Sequence, residues 1–305
     1  MSDSSNEVLQ TLTERALLII NPVSGKRAVI RYIPEIIRTL MDSGYLVTAA
    51  VTSRRGEGKE LAACLGRDYD LVCCTGGDGT LNEVLSGLAA EGIDVPLGYI
   101  PCGSTNDFAI SRQLSSDIPT AARRMAAGVC RRYDVGRFGD SYFSYVAAFG
   151  AFSWLSYTTD QNMKNMLGHT AYILDAFKDL NRLKPIRLKL TANGVSYDDE
   201  YIFGAVCNST SVAGTLTLPS SVVDTCDGLF EVLLVKMPKD ILDLEETVRG
   251  LLSQDYSSPQ LDFFQTKELT IDSPPDLEWA LDGEQFVTSE RIHVSILPGF
   301  MNLKS

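Results

Sequence analysis

Histidine is scarce: only His169 and His293 occur in 305 residues. Zinc sites built on several histidines are thereby excluded. No C-x-x-C pair occurs among the seven cysteines, Cys64, Cys73, Cys74, Cys102, Cys130, Cys207 and Cys226. Their number is odd, and Cys73 and Cys74 lie inside an apolar run. Reduced, mostly buried thiols in a cytoplasmic protein are expected, not a disulfide framework. No G-x-S-x-G elbow is present, so a serine hydrolase finds no support. No apolar run reaches the roughly 18 residues of a membrane helix. The longest, 145–155, is interrupted by Gly150 and Ser153. The opening MSDSSNEVLQ has neither a basic nor an apolar region of a secretory signal and reads as a loose tail. Basic charge is also short: Lys plus Arg number 27 against 39 for Asp plus Glu, a formal net charge of −12. That balance argues against nucleic acid as a partner and against docking on anionic lipid by charge alone.

What is present suffices for a folded core. The chain is 45% hydrophobic and 22% charged, and its length suits one large domain or two ordinary ones. The first part alternates strand and helix. Strands are expected at 16–20, 45–51, 71–75 and 96–100, and helices at 28–43, 58–65 and 80–91. That alternation predicts a parallel sheet with helices on both faces. After about residue 133 closely spaced strands take over, at 132–138, 142–149, 186–191, 201–207, 229–236, 268–271, 277–281 and 292–297, with one helical stretch near 161–183. This predicts an antiparallel, sandwich-like β-rich domain. The fold class is therefore α/β: a parallel nucleotide-binding domain over 15–134, preceded by a tail over 1–14, and a β-rich domain over 135–294.

Thr75-Gly-Gly-Asp-Gly-Thr-Leu-Asn-Glu83 joins a strand to a helix. Its glycines permit positive φ and close approach of backbone N–H groups to a ligand, and the helix start adds its positive end: a phosphate cradle. A P-loop and a dinucleotide fingerprint are both excluded by the spacing. As a plain turn, Thr80 and Glu83 would form a capping box. That reading leaves Asp78 unexplained between its glycines, where a carboxylate suits a nucleotide-bound Mg²⁺. Pro101-Cys-Gly-Ser-Thr-Asn-Asp-Phe108 is a second glycine turn after a strand, and Asn21-Pro-Val-Ser-Gly-Lys26 a third loop. Loops at the carboxyl ends of neighbouring parallel strands converge on one crevice. Near the end, Trp279-Ala-Leu-Asp-Gly-Glu284 reads as a hairpin with an Asp-Gly turn, and Glu284 suits a general base if the tip faces a cleft.

GGDGTLNEV, then GSTNDFA, and much later LDGE together resemble the bacterial soluble lipid kinases of the diacylglycerol kinase catalytic-domain family, over nearly the whole chain. The resemblance implies an ATP-dependent kinase that phosphorylates a lipid hydroxyl, most simply diacylglycerol. It also implies that 295–305 returns to the first domain. Position by position, it implies that Gly76, Gly77, Asp78, Gly79, Thr80, Leu81 and Asn82 bind ATP phosphates and that Thr52 and Ser104 line the nucleotide site. Asp78, Asp107 and Asp134 would belong to the acidic network around Mg²⁺, with Lys26 and Lys164 tied to it. Asp282 and Glu284 match the DGE motif, with Glu284 the proton acceptor. Asp224, Asp227 and Leu229 resemble a structural Mg²⁺ site, against the simpler reading of Asp227-Gly228 as a turn.

The partners implied are ATP and a lipid met by transient contact at the membrane surface, without nucleic acid, for a protein that is cytoplasmic and peripheral. A homodimer is left open. The stretch 149–157 (FGAFSWLSY) is expected in the core of the second domain, with contact to acyl chains as the alternative. Two rivals share the scaffold: an NAD kinase-like enzyme, against which GSTNDFA and DGE weigh, and a catalytically silent nucleotide- or lipid-binding regulator.

Overall fold

The computed structural model describes residues 13–150, 184–212, 216–219, 221–287 and 291–305. It divides into two compact units, Met1–Tyr133 with Gly299–Ser305, and Asp134–Pro298.

In the first unit β1 (Glu14–Ile20), α1 (Ile33–Asp42), β2 (Tyr45–Val51), α2 (Glu57–Leu65), β3 (Leu71–Gly76), α3 (Asp78–Ala90) and β4 (Leu97–Pro101) alternate, followed by α4 (Asp107–Ser111) and α5 (Ile118–Ala127). β1 lies between β2 and β3, with β4 beyond β3, all parallel. Leu303 and Lys304 add a parallel strand beside Leu97 and Gly98. β1 and β3 read as unbroken apolar runs because both faces are covered. Leu18, Ile20, Leu71, Cys73 and Ile100 pack with Ile36 and Leu40 of α1 and Ala122 and Met125 of α5. The alternate residues Leu17, Ile19, Val72 and Cys74 are equally buried on the other face, where α2 and α3 pack.

Two details differ from the sequence expectation. The single helix over 28–43 is divided: Ser24–Tyr32 winds as a 3-10 segment and the α-helix begins at Ile33. Pro34 explains the division. It has no N–H to give to the Ile30 carbonyl, which accepts from Ile33 instead. Helix α5 was not anticipated. Asp117 caps it by accepting from the Thr120 N–H at 3.0 Å.

The second unit contains the rest of β5 (Cys130–Phe138), then β6 (Ser141–Phe143), β7 (Val146–Gly150), β8 (Ile186–Ala192), β9 (Val195–Cys207), β10 (Ser211–Val212), β11 (Leu216–Thr217), β12 (Phe230–Lys236), α6 (Ile241–Ser253), β13 (Leu261–Thr266), β14 (Glu268–Asp272), β15 (Glu278–Leu281), β16 (Glu284–Val287) and most of β17 (Arg291–Lys304). These strands pair antiparallel. β9 serves two neighbourhoods: its first half pairs β8, and its second half lies between β7 and β12. Trp279 anchors the core, its ring 4.8 Å from those of Phe138 and Phe149. Phe149, first residue of the aromatic stretch, is thus core, while 151–157 and the helix expected near 161–183 lie outside the described residues. Helix α6 also went unpredicted, although Asp240 caps it and Leu244, Val248 and Leu251 bury one stripe. Among the described residues no helix is long and apolar enough to cross a membrane.

Candidate functional site

Four neighbouring strands of the first unit end together. Ile20 stands opposite Val51 and Thr75, and Gly76 opposite Pro101. The residues just beyond are Asn21, Thr52, Gly77 and Cys102, at the carboxyl edge of a parallel sheet. They are tied to one another. Thr52 donates both its N–H (2.9 Å) and its hydroxyl (3.3 Å) to the Ile20 carbonyl. Asn21 donates its N–H to the Thr75 carbonyl at 3.0 Å and its side-chain amide to Thr80 Oγ1 at 2.9 Å. Ser24 Oγ donates to the Cys102 carbonyl at 3.3 Å. Gly25 has φ +54°, and a Cβ there would run into the same carbonyl oxygen. The third loop is therefore part of the edge. Lys26 lies in it, with its side chain outside the described atoms.

The two glycine loops meet backbone against backbone. A Cβ on Gly103 would lie 2.5 Å from the Gly77 Cα, and one on Gly76 would collide with the Thr80 side chain. None of Gly76, Gly77, Gly79 or Gly103 has positive φ, and Gly77 sits at φ −91°. The expectation of positive φ is corrected: Gly76 and Gly103 are required by crowding, not by handedness. The left-handed residue is Asn106 (φ +55°), whose Oδ1 accepts from the Gly103 N–H at 2.9 Å and whose Nδ2 donates to the Gly103 carbonyl at 3.0 Å. Asparagine tolerates this region and supplies the clamp.

Asp78 and Asp107 are brought together. Asp78 Oδ2 accepts from the Asp107 N–H (3.0 Å) and Oδ1 from the Phe108 N–H (3.1 Å), so the carboxylate of one glycine loop closes the first turn of the helix after the other. Beneath it the Tyr99 hydroxyl donates to the Gly76 carbonyl at 3.3 Å. Burial, with the Asp78 charge in addition, raises the Tyr99 pKa far above its ordinary value and keeps that donor protonated. Thr80 and Leu81 are buried, so Leu81 has only its main chain to offer a ligand, and Ser104 is exposed. Asn82 Oδ1 accepts from Ser86 Oγ at 3.3 Å. Glu83 does not close a capping box. Its two oxygens accept from the N–H groups of Gly56 (2.7 Å) and Gly58 (3.1 Å), fastening the loop after Thr52 to α3.

In the second unit Asp282 and Gly283, at φ +49° and +83°, form the tight turn between β15 and β16. Glu284 opens β16 opposite Leu281. The Asp282 carboxylate is buried and accepts from the Ser144 N–H (2.6 Å) and hydroxyl (2.8 Å), the Tyr145 N–H (3.0 Å) and the Val146 N–H (3.1 Å). Its own N–H goes to the Val146 carbonyl at 2.9 Å. These bonds explain why the strand expected over 142–149 is split: the N–H groups of Ser144 and Tyr145 go to the carboxylate and not to a ladder. Asp282 therefore fixes the hairpin, and Ser144 is a functional candidate the sequence did not reveal.

Asp134 is fully buried in this unit. Its Oδ2 accepts from the Gly228 N–H at 2.7 Å, its N–H donates to the Thr225 carbonyl at 3.0 Å, and its carbonyl accepts from Asn208 Nδ2 at 2.8 Å. It thus braces the loop holding Asp224, Asp227 and Leu229. Asp224 Oδ1 accepts from the Cys226 N–H (3.0 Å) and Asp227 Oδ1 from the Leu229 N–H (2.9 Å), the local turns that aspartate favours. Glu231 follows, buried, with Oε1 accepting from Gln265 Nε2 at 3.0 Å and Oε2 buried without a hydrogen-bond partner. Burial pushes its carboxyl up to about 7, and the Asp227 and Asp224 charges push the same way, against the Gln265 bond. Among the described residues no three His, Cys, Asp or Glu side chains are arranged to hold a metal alone. A cation at this loop would draw on main-chain carbonyls, such as that of Leu229, beside Asp227. The orphaned Glu231 oxygen fits such an ion. Lys164 lies outside the described residues.

The sequence model of the diacylglycerol kinase catalytic domain matches residues 15–138, and that of the YegS C-terminal NAD kinase beta sandwich-like domain matches 152–305. The chain is 30% identical to the diacylglycerol kinase of Staphylococcus saprophyticus, over 96% of this chain and 94% of that one. It is likewise 30% identical to that of Staphylococcus aureus strain RF122, over 90% and 87%. A diacylglycerol kinase crystal structure from Bacillus anthracis strain Sterne shares the fold at 24% identity, with a TM-score of 0.75 over 95% of this chain and 96% of that one.

Proposed function

Since the chain belongs to the diacylglycerol kinase family and is a phosphotransferase with an alcohol group as acceptor, we propose that it transfers the γ-phosphoryl group of ATP to a lipid hydroxyl, with diacylglycerol as the acceptor. The observation that carries this reading is the Gly77–Gly103 approach at the carboxyl edge of the parallel sheet. It packs the two loops main chain against main chain, and the glycines leave the backbone at that edge uncovered by side chains, as binding of a polyphosphate by N–H groups needs.

In this reading the main chain of Gly76, Gly77, Gly79, Thr80, Leu81 and Asn82 holds the phosphates, with Thr52 and Ser104 beside the nucleotide. Asp78 and Asp107, locked together through α4, are the carboxylates for a phosphate-bound Mg²⁺, and Asp134, Lys26 and Lys164 are assigned to the same network. When bound, Mg²⁺ would neutralise charge that builds on the transferring phosphoryl group. Glu284 takes the proton from the attacking hydroxyl, and the loose transition state of phosphoryl transfer leaves the protein chiefly positioning and proton removal to perform. Asp282 is a positioning residue: with every oxygen engaged by N–H and O–H donors, it holds the turn that carries Glu284. Asp224, Asp227 and Leu229, with Glu231 behind them, are proposed to hold a second, structural Mg²⁺. The lipid is met at the bilayer surface by transient contact.

The test measures ADP release and phosphorylated product with diacylglycerol, monoacylglycerol, phosphatidylglycerol, ceramide and NAD as acceptors. Diacylglycerol-dependent ADP release with phosphatidate formed is expected. ATP consumption only with NAD would install the NAD kinase-like rival. Nucleotide or lipid binding without turnover on any acceptor would mark a silent regulator.

A further inference from the structure

The first unit holds a cavity of about 180 Å³ that the proposed kinase reaction does not use. Arg112, Arg124 and Arg131 line it, with Tyr99, Ser115 and Ser305. That is unusual in a chain whose net charge is −12. The neighbouring arginines show the contrast. Arg123 pairs with Glu35 at 3.3 Å and Arg132 with Asp94 at 2.9 Å. Arg124 and Arg131, the adjacent members of the same two Arg-Arg pairs, form no ion pair among the described residues and turn to the cavity instead. Arg112 is held in place by stacking: its guanidinium lies 4.3 Å from the Tyr133 ring centroid and 5.6 Å from that of Phe108.

We propose that this cavity is an anion site for a phosphate group, free or as a monoester. Guanidinium groups suit a tetrahedral dianion, because each offers a planar fork of donors that matches two oxygens. The size limits the guest. Pockets for whole drug-sized ligands run to roughly 300–1,000 Å³, so this one accepts a phosphate group or small phosphorylated headgroup and not a nucleotide. The site also borders the cradle through two direct links. Tyr99 lines the cavity and donates to the Gly76 carbonyl at 3.3 Å. Arg112 packs on Phe108, whose N–H is held by Asp78 at 3.1 Å. An occupant therefore touches the elements that shape both glycine loops. The anion has two sources, a free phosphate or the headgroup of phosphatidate, which is the product of the reaction proposed above. The coupling to the cradle rests on that reading, whereas the anion site itself does not.

The test is binding to the full-length protein without nucleotide or lipid acceptor, so that it reads independently of kinase activity. Sodium phosphate and glycerol 3-phosphate are titrated by calorimetry at fixed ionic strength, and sedimentation is measured with phosphatidylcholine vesicles with and without phosphatidate. The variant is R124Q/R131Q, since both side chains are exposed and neither belongs to the glycine loops. Saturable binding of phosphate, or selective retention on phosphatidate vesicles, weakened tenfold or more in the variant is expected, about the loss for removing charge-assisted hydrogen bonds. The first result identifies a free anion and the second a headgroup. Equal binding by wild type and variant, or none to either source by a wild type that melts normally, overturns the proposal. Charge reversal (R124E/R131E) that leaves binding intact would overturn it as well.

Discussion

Gly103 approaches Gly77 so closely that a Cβ on residue 103 would lie 2.5 Å from the Gly77 Cα, while a Cβ on residue 77 would find its nearest neighbour, the Gly103 Cα, at 3.3 Å. The contact is one, yet the two positions differ in tolerance. Gly103→Ala must push the loops apart and should weaken ATP binding tenfold or more. Gly77→Ala, at negative φ and with a contact that small shifts relieve, should weaken it only a few-fold. Calorimetric titration of both folded variants decides the point. Equal losses would show that crowding between the loops is not what the glycines provide.

The carboxylate clamp predicts a separation of stability from chemistry. Asp282→Ala strands three buried N–H groups and a hydroxyl and should cost at least about 3 kcal/mol, since each unsatisfied buried donor costs about 1–3 kcal/mol. Ser144→Ala removes one hydroxyl donor and should cost about 1 kcal/mol. Urea denaturation measures both. A variant at position 282 as stable as wild type would remove the positioning role assigned to it.

Glu284→Gln keeps the shape of the hairpin and removes the proton acceptor. Stability and affinities for ATP and lipid should stay near wild type, while kcat falls by roughly 10²-fold or more, the usual scale for a general base. Near wild-type kcat on the best lipid would mean that the hairpin is only a hairpin.

The loop at 224–229 makes a prediction about melting. Mg²⁺ should raise the Tm of the wild type through binding linkage. Asp227→Asn and Glu231→Gln should flatten that response, and Glu231→Gln should raise the Tm in Mg²⁺-free buffer near pH 8, because a carboxyl whose pKa is raised from 4.5 to about 7 on folding loses stability as pH rises through that window. A Tm that is unmoved by Mg²⁺ in all three proteins would count against a cation there.

The parts that could be read in advance are those where one physical demand fixes the residue. Strands covered on both faces must be apolar throughout, so β1 and β3 were visible as runs, and the Asp-Gly turn was visible because few residues take two successive positive φ values. What escaped depends on partners distant in sequence. Thr80 and Glu83 have the spacing of a capping box, yet the carboxylate spans 25 and 27 residues to Gly58 and Gly56. The split between β6 and β7 is imposed by Asp282, whose bonds reach back over 136 to 138 residues. A glycine likewise cannot announce whether it answers to handedness or to crowding. Helix α6 is legible in its Asp240 cap and its stripe of Leu244, Val248 and Leu251, although it interrupts a run of closely spaced strands.

The pairing of Leu303 and Lys304 with Leu97 and Gly98 has a consequence for biosynthesis. The first unit is not a contiguous stretch of message: its edge strand is translated only after Asp134–Pro298 has been made. At roughly 5–20 residues per second, β4 waits on the order of ten seconds on the ribosome with one edge unpaired. Over that interval the nascent sheet offers its backbone to any other strand nearby. Premature termination anywhere in the second half would therefore damage the glycine-loop unit, although every residue of those loops had already been synthesised.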